Sequence, residues 1–83
     1  MKLKIKLLGR LRHKLPAGSG FNQTELDLAE GAGLLDVMAK LGLPAEASYL
    51  ITVNDEQVRP SAFATHRLNA GDAVSIFPPL QGG

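Results

Sequence analysis

The chain opens with an alternation of charged and apolar residues, in the segment KLKIKLL. Leu3, Ile5 and Leu7 alternate there with three lysines. Successive side chains of a strand point to opposite faces of a sheet, so this period of two predicts a half-buried strand. The segment TELDL, at residues 24–28, alternates in the same way. Glycine and proline punctuate the stretch between the two segments, and the pattern therefore predicts a hairpin with a long connecting loop.

The period changes in the segment GLLDVMAKLGLP. Its apolar residues Leu34, Val37, Met38 and Leu41 lie at i, i+3, i+4 and i+7, the spacing of one face of a helix. The glycine and the proline that follow this face end the helix. We expect a helix of about two to three turns with this face packed on the sheet.

Short strands are predicted in the second half of the chain. YLITV is a β-branched apolar run that predicts a strand, NDE a turn, and QVR a brief partner strand. In LNAGDAVSIF, a turn at residues 69–72 precedes a strand. Val74 and Ile76 share one face of that strand, whereas Ser75 and Phe77 share the other. The segment SAFATHR favours no element.

The order of these elements is strand, strand, helix, strand, short strand, strand. It predicts an α+β fold in which one main helix packs on one face of a mixed sheet of four to five strands. The last strand is expected beside the first and parallel to it, which is the β-grasp layout of ubiquitin. We expect one domain over residues 1–77, followed by a flexible tail over residues 78–83.

Composition narrows the class of function. The chain has 83 residues, of which 45% are apolar, enough for one modest core. This size favours a carrier, a binding module or a subunit over a self-sufficient enzyme. The sequence has no cysteine, which excludes disulfides, thiolate nucleophiles and zinc–thiolate sites, and its two histidines lack the spacing of metal ligands. No metal site is therefore expected. The sequence shows no signal peptide and no long apolar run, so a cytoplasmic protein is expected.

Basic residues are concentrated near the start of the chain. Six of the nine lysines and arginines lie within the first 14 residues, before the first acidic residue. Aromatic residues make up only 5% and no nucleic-acid motif occurs, so a nucleic-acid partner is not expected. The alternating lysines fit either a solvated sheet face or a contact with an acidic protein surface. Arg10 and Arg12, near the end of the first strand, are candidates for such a contact.

The end of the sequence, IFPPLQGG, has an unusual composition. Pro78 and Pro79 have no amide donor and favour an extended path away from the sheet. Gly82 and Gly83 have no side chain, so they fit a narrow channel in which any Cβ would clash. The alternative is a frayed terminus without function.

The whole chain resembles the MoaD/ThiS family of ubiquitin-like sulfur carriers. Its most specific match is GDAVSIFPPLQGG, in which a Gly-Asp turn and a strand precede Phe-Pro-Pro, two variable residues and Gly-Gly. The matching residues are Gly71, Asp72, Phe77, Pro78, Pro79, Gly82 and Gly83. LGRLR, LGLP and ITVNDEQV support the match. The tail is more similar to MoaD, the molybdopterin synthase small subunit, than to the thiamin branch.

The resemblance implies a mechanism in which this chain is a carrier and not the enzyme. A ubiquitin-activating-type adenylyltransferase (MoeB/ThiF-like) would transfer AMP from ATP to the carboxylate of Gly83. A persulfide sulfur would then displace AMP and give a C-terminal thiocarboxylate. The tail would next enter a sulfur-accepting enzyme such as the molybdopterin synthase large subunit (MoaE-like). The chain would bind no cofactor itself, because ATP and sulfur arrive through these partners.

The residues of the tail then take separate roles. Gly83 would react, Gly82 would give access, and the two prolines would set the reach. Phe77 and Leu80 would contact partners; for Phe77 the alternative is packing at the edge of the core. The resemblance leaves open a carrier for thiamin, tungsten-pterin or another sulfur metabolite, and a ubiquitin-like modifier of lysines. A plain β-grasp interaction module with an inert tail is the remaining alternative.

Overall fold

Alternating burial along the first strand distinguishes the two faces of the sheet. The computed structural model describes residues 1–44 and 49–79, and its first strand, β1, spans Lys2–Leu7. The apolar side chains of β1 are buried and its lysines are exposed. Strand β2, Gln23–Asp27, pairs antiparallel with β1 and places Leu26 opposite Leu3. The predicted hairpin is therefore confirmed.

The connection between β1 and β2 is more ordered than the sequence pattern indicates. Residues Gly9–Lys14 form a 3-10 helix, where the glycines and prolines predicted only a loop. Leu11 is the reason, since its side chain is buried in the core and draws this turn of chain onto the sheet. Leu15, just beyond the helix, is partly buried against the same core.

Helix α1 spans Leu34–Leu41, and the four residues of its predicted apolar face are all buried. Its N-cap is Gly33, which has no side chain to accept a hydrogen bond. The carboxylate of Asp36 instead accepts a hydrogen bond of 2.8 Å from the Gly33 amide, which ties the first turn to the cap. Gly42 ends the helix in the left-handed region, at φ 74°.

The residues that the structure describes form a sheet of five strands. Strands β3, β4 and β5 span Leu50–Val53, Glu56–Val58 and Ala73–Phe77, and the sheet order is β2-β1-β5-β3-β4. Strand β5 runs parallel to β1, and the other neighbouring pairs are antiparallel. The predicted β-grasp layout is thus confirmed, with the last strand at the centre of the sheet.

The core lies between α1 and one face of this sheet, and the other face is open to solvent. Phe63 contributes to the core from the segment that the sequence left unassigned. A second 3-10 helix, Pro60–Ala62, precedes it. Within the described residues, no helix is long and apolar enough to cross a membrane.

Candidate functional site

The base of the tail lies at the edge of the sheet where β1 ends. Because β1 and β5 are parallel, their carboxyl ends meet, with Leu7 opposite Ile76. The amide of Leu8 donates a hydrogen bond of 3.0 Å to the carbonyl of Ile76. The chain that follows β5 therefore leaves the sheet beside the first 3-10 helix.

Gly9 meets the first tail proline at this edge. Its backbone is left-handed, at φ 57°. A Cβ built on Gly9 would lie 3.1 Å from Cγ and 3.5 Å from Cδ of Pro78. The pyrrolidine ring thus lies against the main chain of Gly9. Gly9 was not among the candidate site residues predicted from the sequence, where its signals were a position directly after a strand and its place in LGRLR.

The two candidate arginines follow Gly9 in the 3-10 helix, and both are exposed. The Nε of Arg12 donates a hydrogen bond of 3.1 Å to the carbonyl of Gly9. Its guanidinium also lies 4.3 Å from the centroid of the Phe21 ring, a cation–π contact. Arg12 is therefore held by its own chain. For Arg10 and Arg12, binding to a partner stays a prediction.

An apolar patch surrounds the base of the tail on the open face of the sheet. Phe77 is 37% exposed there and lies opposite Leu50 of β3, which is 43% exposed. The apolar residues that line a depression of about 600 Å³ there are called the tail-base patch: Tyr49, Leu50, Val58, Pro60, Phe77, Pro78 and Pro79. Gln57 is the polar residue of the lining, and Tyr49 and Val58 are themselves buried. Val74 and Ile76 point into the core, so Phe77 lies on the other face and does not fill that core.

Leu50 is a patch residue that the sequence analysis missed. It lies in the mostly apolar run YLITV, in which Thr52, on the same face of the strand as Leu50, is the polar residue that marks the exposed side. Its neighbour Ile51 is buried, and the register that places Leu50 beside Phe77 joins two strands far apart in the sequence. Nothing local in the sequence could have paired these two side chains.

The Gly-Asp pair of the tail motif has a structural role at the opposite end of β5. Gly71 has φ 86°, which a turn residue with a side chain would adopt only with strain. The carboxylate of Asp72 accepts hydrogen bonds from the Asn69 amide and from the Asn54 side chain, at 2.8 and 3.0 Å. The Asn54 oxygen accepts in turn from the amide of Ala73. These bonds fix the turn that starts the last strand.

Three predicted site residues, Leu80, Gly82 and Gly83, lie outside the described residues. The boundary between a domain at 1–77 and a tail at 78–83 is also not tested there, although Pro78 and Pro79 are half-buried at the base of the tail. Within residues 1–44 and 49–79, no three acidic or histidine side chains come together as a group that could hold a metal ion.

Comparison with known proteins places these features in a family. A family model described as the ThiS family matches residues 5–83. The molybdopterin synthase sulfur carrier subunit of Chlamydomonas reinhardtii is 33% identical over 89 aligned positions, which cover 100% of both chains.

Solved structures extend the comparison to the fold. A protein from Pyrococcus furiosus, provisionally named molybdopterin converting factor, subunit 1, has a TM-score of 0.68 at 26% identity, covering 95% of this chain and 98% of its own. A structure from Helicobacter pylori, described as a complex of subunits 1 and 2 of molybdopterin-converting factor, contains a similar chain. That match covers 100% of both chains with a TM-score of 0.63 at 20% identity, and it shows the fold alone.

Proposed function

This chain belongs to the ThiS family of sulfur carriers, and we propose that it carries sulfur on the carboxylate of Gly83 for the synthesis of molybdopterin. The observation that supports this most is the tail-base patch. An exposed apolar surface surrounds the point where a Pro-Pro segment leaves the sheet toward two glycines. A patch in that place suits a protein whose tail is presented to partner enzymes.

The proposed chemistry begins with activation of the tail. A carboxylate is a poor acyl donor because oxide would be its leaving group. A carboxylate oxygen of Gly83 attacks the α-phosphorus of ATP, pyrophosphate leaves, and an acyl adenylate forms. A persulfide of a partner then attacks the acyl carbon and AMP leaves. A thiol cleaves the resulting acyl disulfide, and one sulfur atom remains on Gly83 as a thiocarboxylate.

Partner enzymes supply every other reactant in this proposal. The sequence has no cysteine, so the chain cannot hold sulfur as a persulfide of its own. The acyl carbon of Gly83 is then the place where the chain can bond sulfur. ATP and the persulfide belong to a MoeB/ThiF-like adenylyltransferase and its sulfur donor. This division makes the chain a non-catalytic small subunit or co-substrate.

The tail-base patch would provide the contact with those partners. Phe77 and Leu50 each still expose more than a third of their surface, and covering it on association removes apolar area from water. Arg10 lies exposed beyond the edge where the tail begins, so it would meet acidic groups at the rim of the interface. Both partners would need the same patch and the same tail, and they would therefore bind one after the other.

The molybdopterin pathway is favoured over the other pathways by the identity of the relatives. The full-length relative at 33% identity is named a molybdopterin synthase subunit, and the tail carries the Phe77-Pro78-Pro79 sequence. The proposed sulfur acceptor is accordingly a MoaE-like large subunit. Carriers for thiamin and modifiers of lysine remain alternatives that the same activation step would serve.

Intact-protein mass spectrometry tests the activation step. The untagged chain is incubated with ATP, a persulfide donor, a thiol and the MoeB-like enzyme of its own organism. We expect a mass gain equal to replacing one oxygen by sulfur, localised to Gly83 by fragmentation. A variant with one residue added after Gly83 is the control and should gain no mass. No gain in the unmodified chain, with an enzyme shown to consume ATP, would contradict the proposal and favour an inert tail.

Transfer to an acceptor then distinguishes the pathways. The thiocarboxylated chain is mixed with the molybdopterin synthase large subunit and its pterin substrate, and in parallel with the thiazole-forming enzyme of thiamin synthesis. We expect loss of the added sulfur only in the first mixture. Loss only in the second would assign the chain to thiamin synthesis. An isopeptide product on a protein lysine would assign it to the modifiers.

A further inference from the structure

The contact between Gly9 and Pro78 has a consequence for the reaction at the far end of the tail. We propose that Gly9 is a positioning residue: its main chain forms a seat for the Pro78 ring and thereby fixes the direction in which the tail leaves the sheet. The inference rests on the proposed function, because direction matters only if the tail must reach a catalytic centre.

Gly9 fits this role for two separate reasons. Its φ of 57° lies in the left-handed region, which disfavours a side chain. In addition, a Cβ on Gly9 would approach Cγ of Pro78 to 3.1 Å, closer than ordinary van der Waals contact. Gly18, in the same loop, provides the comparison. Its φ is 86°, but a Cβ there would meet nothing within 4 Å. Among the glycines of residues 1–44 and 49–79, Gly9 alone combines a left-handed backbone with a contact to the tail.

The seat is held on both sides. The hydrogen bond from Leu8 to the carbonyl of Ile76 joins the residue before Gly9 to the strand that leads into the tail. On the other side, Arg12 donates to the Gly9 carbonyl and packs on the ring of Phe21. These bonds restrain the main chain of Gly9 on both sides. A side chain added at Gly9 would therefore displace Pro78 by a few tenths of an ångström.

Displacement of Pro78 would be transmitted along the tail. Pro79 restricts the residue before it to an extended conformation, so residues 78 and 79 turn together. The five residues from 79 to 83 span at most about 17 Å. A change of direction at the base therefore shifts the reacting carboxylate much more than it shifts Leu50 and Phe77, the patch residues that lie on strands β3 and β5. We expect docking through these two residues to be preserved while the alignment of the carboxylate with ATP is lost.

The experiment is steady-state adenylation, followed as pyrophosphate release by the MoeB-like enzyme with ATP and varied carrier. For Gly9→Ala we expect kcat to fall about tenfold or more with KM for the carrier within about twofold, since small misplacements of reacting groups carry large kinetic costs. Gly18→Ala is the matched control and should leave both constants within about twofold of the unsubstituted chain, because it adds similar backbone strain without the contact. Simple loss of folded protein would instead raise the apparent KM.

Rescue identifies the contact itself. Pro78→Ala removes Cγ and Cδ, the atoms that the new methyl group would meet. Pro78→Ala alone also loses the seated ring, so it is the reference, and we expect Gly9→Ala to lower kcat much less in the Pro78→Ala background than in the unsubstituted chain. If Gly9→Ala lowers kcat equally in both backgrounds, or if Gly9→Ala matches Gly18→Ala, the inference is wrong. If circular dichroism shows that Gly9→Ala is unfolded, the alanine variants are replaced by Gly9→Asn and Gly18→Asn. Asparagine tolerates the left-handed region better than alanine does.

A second measurement needs no variant. In a ¹³C-labelled sample of the unsubstituted chain, an NOE between the Gly9 Hα and Pro78 Hγ protons is expected, and its absence would overturn the seat. Failure of the inference remains separate from failure of the proposed function. If the unsubstituted chain is not adenylated at all, the function fails; if it is adenylated and the Gly9 variants behave as the control does, only the positioning role fails.

Discussion

Removing the two exposed side chains of the tail-base patch should weaken partner binding without unfolding the protein. The change is Leu50→Ala together with Phe77→Ala. These residues are 43% and 37% exposed, so each has a little over a third of its surface left to cover. Full burial of such a side chain contributes about 1.5–3 kcal/mol. The exposed fractions of the pair therefore contribute roughly 1–2.5 kcal/mol to association, which is about a 5- to 70-fold change in Kd.

Isothermal titration calorimetry against the molybdopterin synthase large subunit measures this change. Leu35→Ala is the matched control, since Leu35 is 39% exposed but lies on α1, on the other side of the sheet from the patch. We expect its Kd to stay within about twofold of the unsubstituted value, because it removes a similar area from a surface outside the interface. Thermal melts should show both variants folded.

Two results would refute this reasoning. If the Leu50/Phe77 variant binds as tightly as the unsubstituted chain, the exposed patch takes no part in association. If Leu35→Ala weakens binding as much as the double variant does, the partner contacts the helix side and the location of the patch beside the tail is coincidental.

Three further variants, and one control, test the tail and the core. Gly83→Ala should abolish thiocarboxylate formation by mass spectrometry while the circular dichroism spectrum stays unchanged; an unfolded variant would show that the tail supports the fold. Val37→Asp should unfold the domain, since Val37 is fully buried in the helix face and a buried charge costs several kcal/mol, comparable with the stability of a domain this small. The control is Leu35→Asp, on the exposed side of the same helix, which should fold. If Val37→Asp instead melts at the same temperature as the unsubstituted chain, this face of the helix is not the buried one. Gly33→Ala should lower Tm by roughly 5–20 °C, because its Cβ would lie 2.7 Å from the carbonyl oxygen of His66 and overpacking of this kind costs about 1–3 kcal/mol; an unchanged Tm would mean that the His66 segment moves freely.

Local patterns predicted most of the elements and their faces. The alternation around Leu3 and Ile5, and the i, i+3, i+4, i+7 spacing that includes Val37, correspond to buried faces in the structure. These patterns succeed because the backbone geometry of strands and helices repeats over a few residues. The 3-10 helix at Gly9–Lys14 escaped prediction, since one buried leucine, Leu11, orders a segment whose composition is that of a loop.

The candidate site also has one part that the sequence predicted and one part that only the structure shows. The sequence alone determined the composition of the tail, because Pro-Pro followed by Gly-Gly, and a chain without cysteine, are covalent facts that need no fold. Only the tertiary structure decided what surrounds the base of that tail. Parallel pairing of β5 with β1 brings Pro78 onto Gly9, and antiparallel pairing with β3 places Leu50 beside Phe77. Strand neighbours are chosen by burial of a whole sheet face, a property of all five strands together, and no short stretch of sequence records that choice.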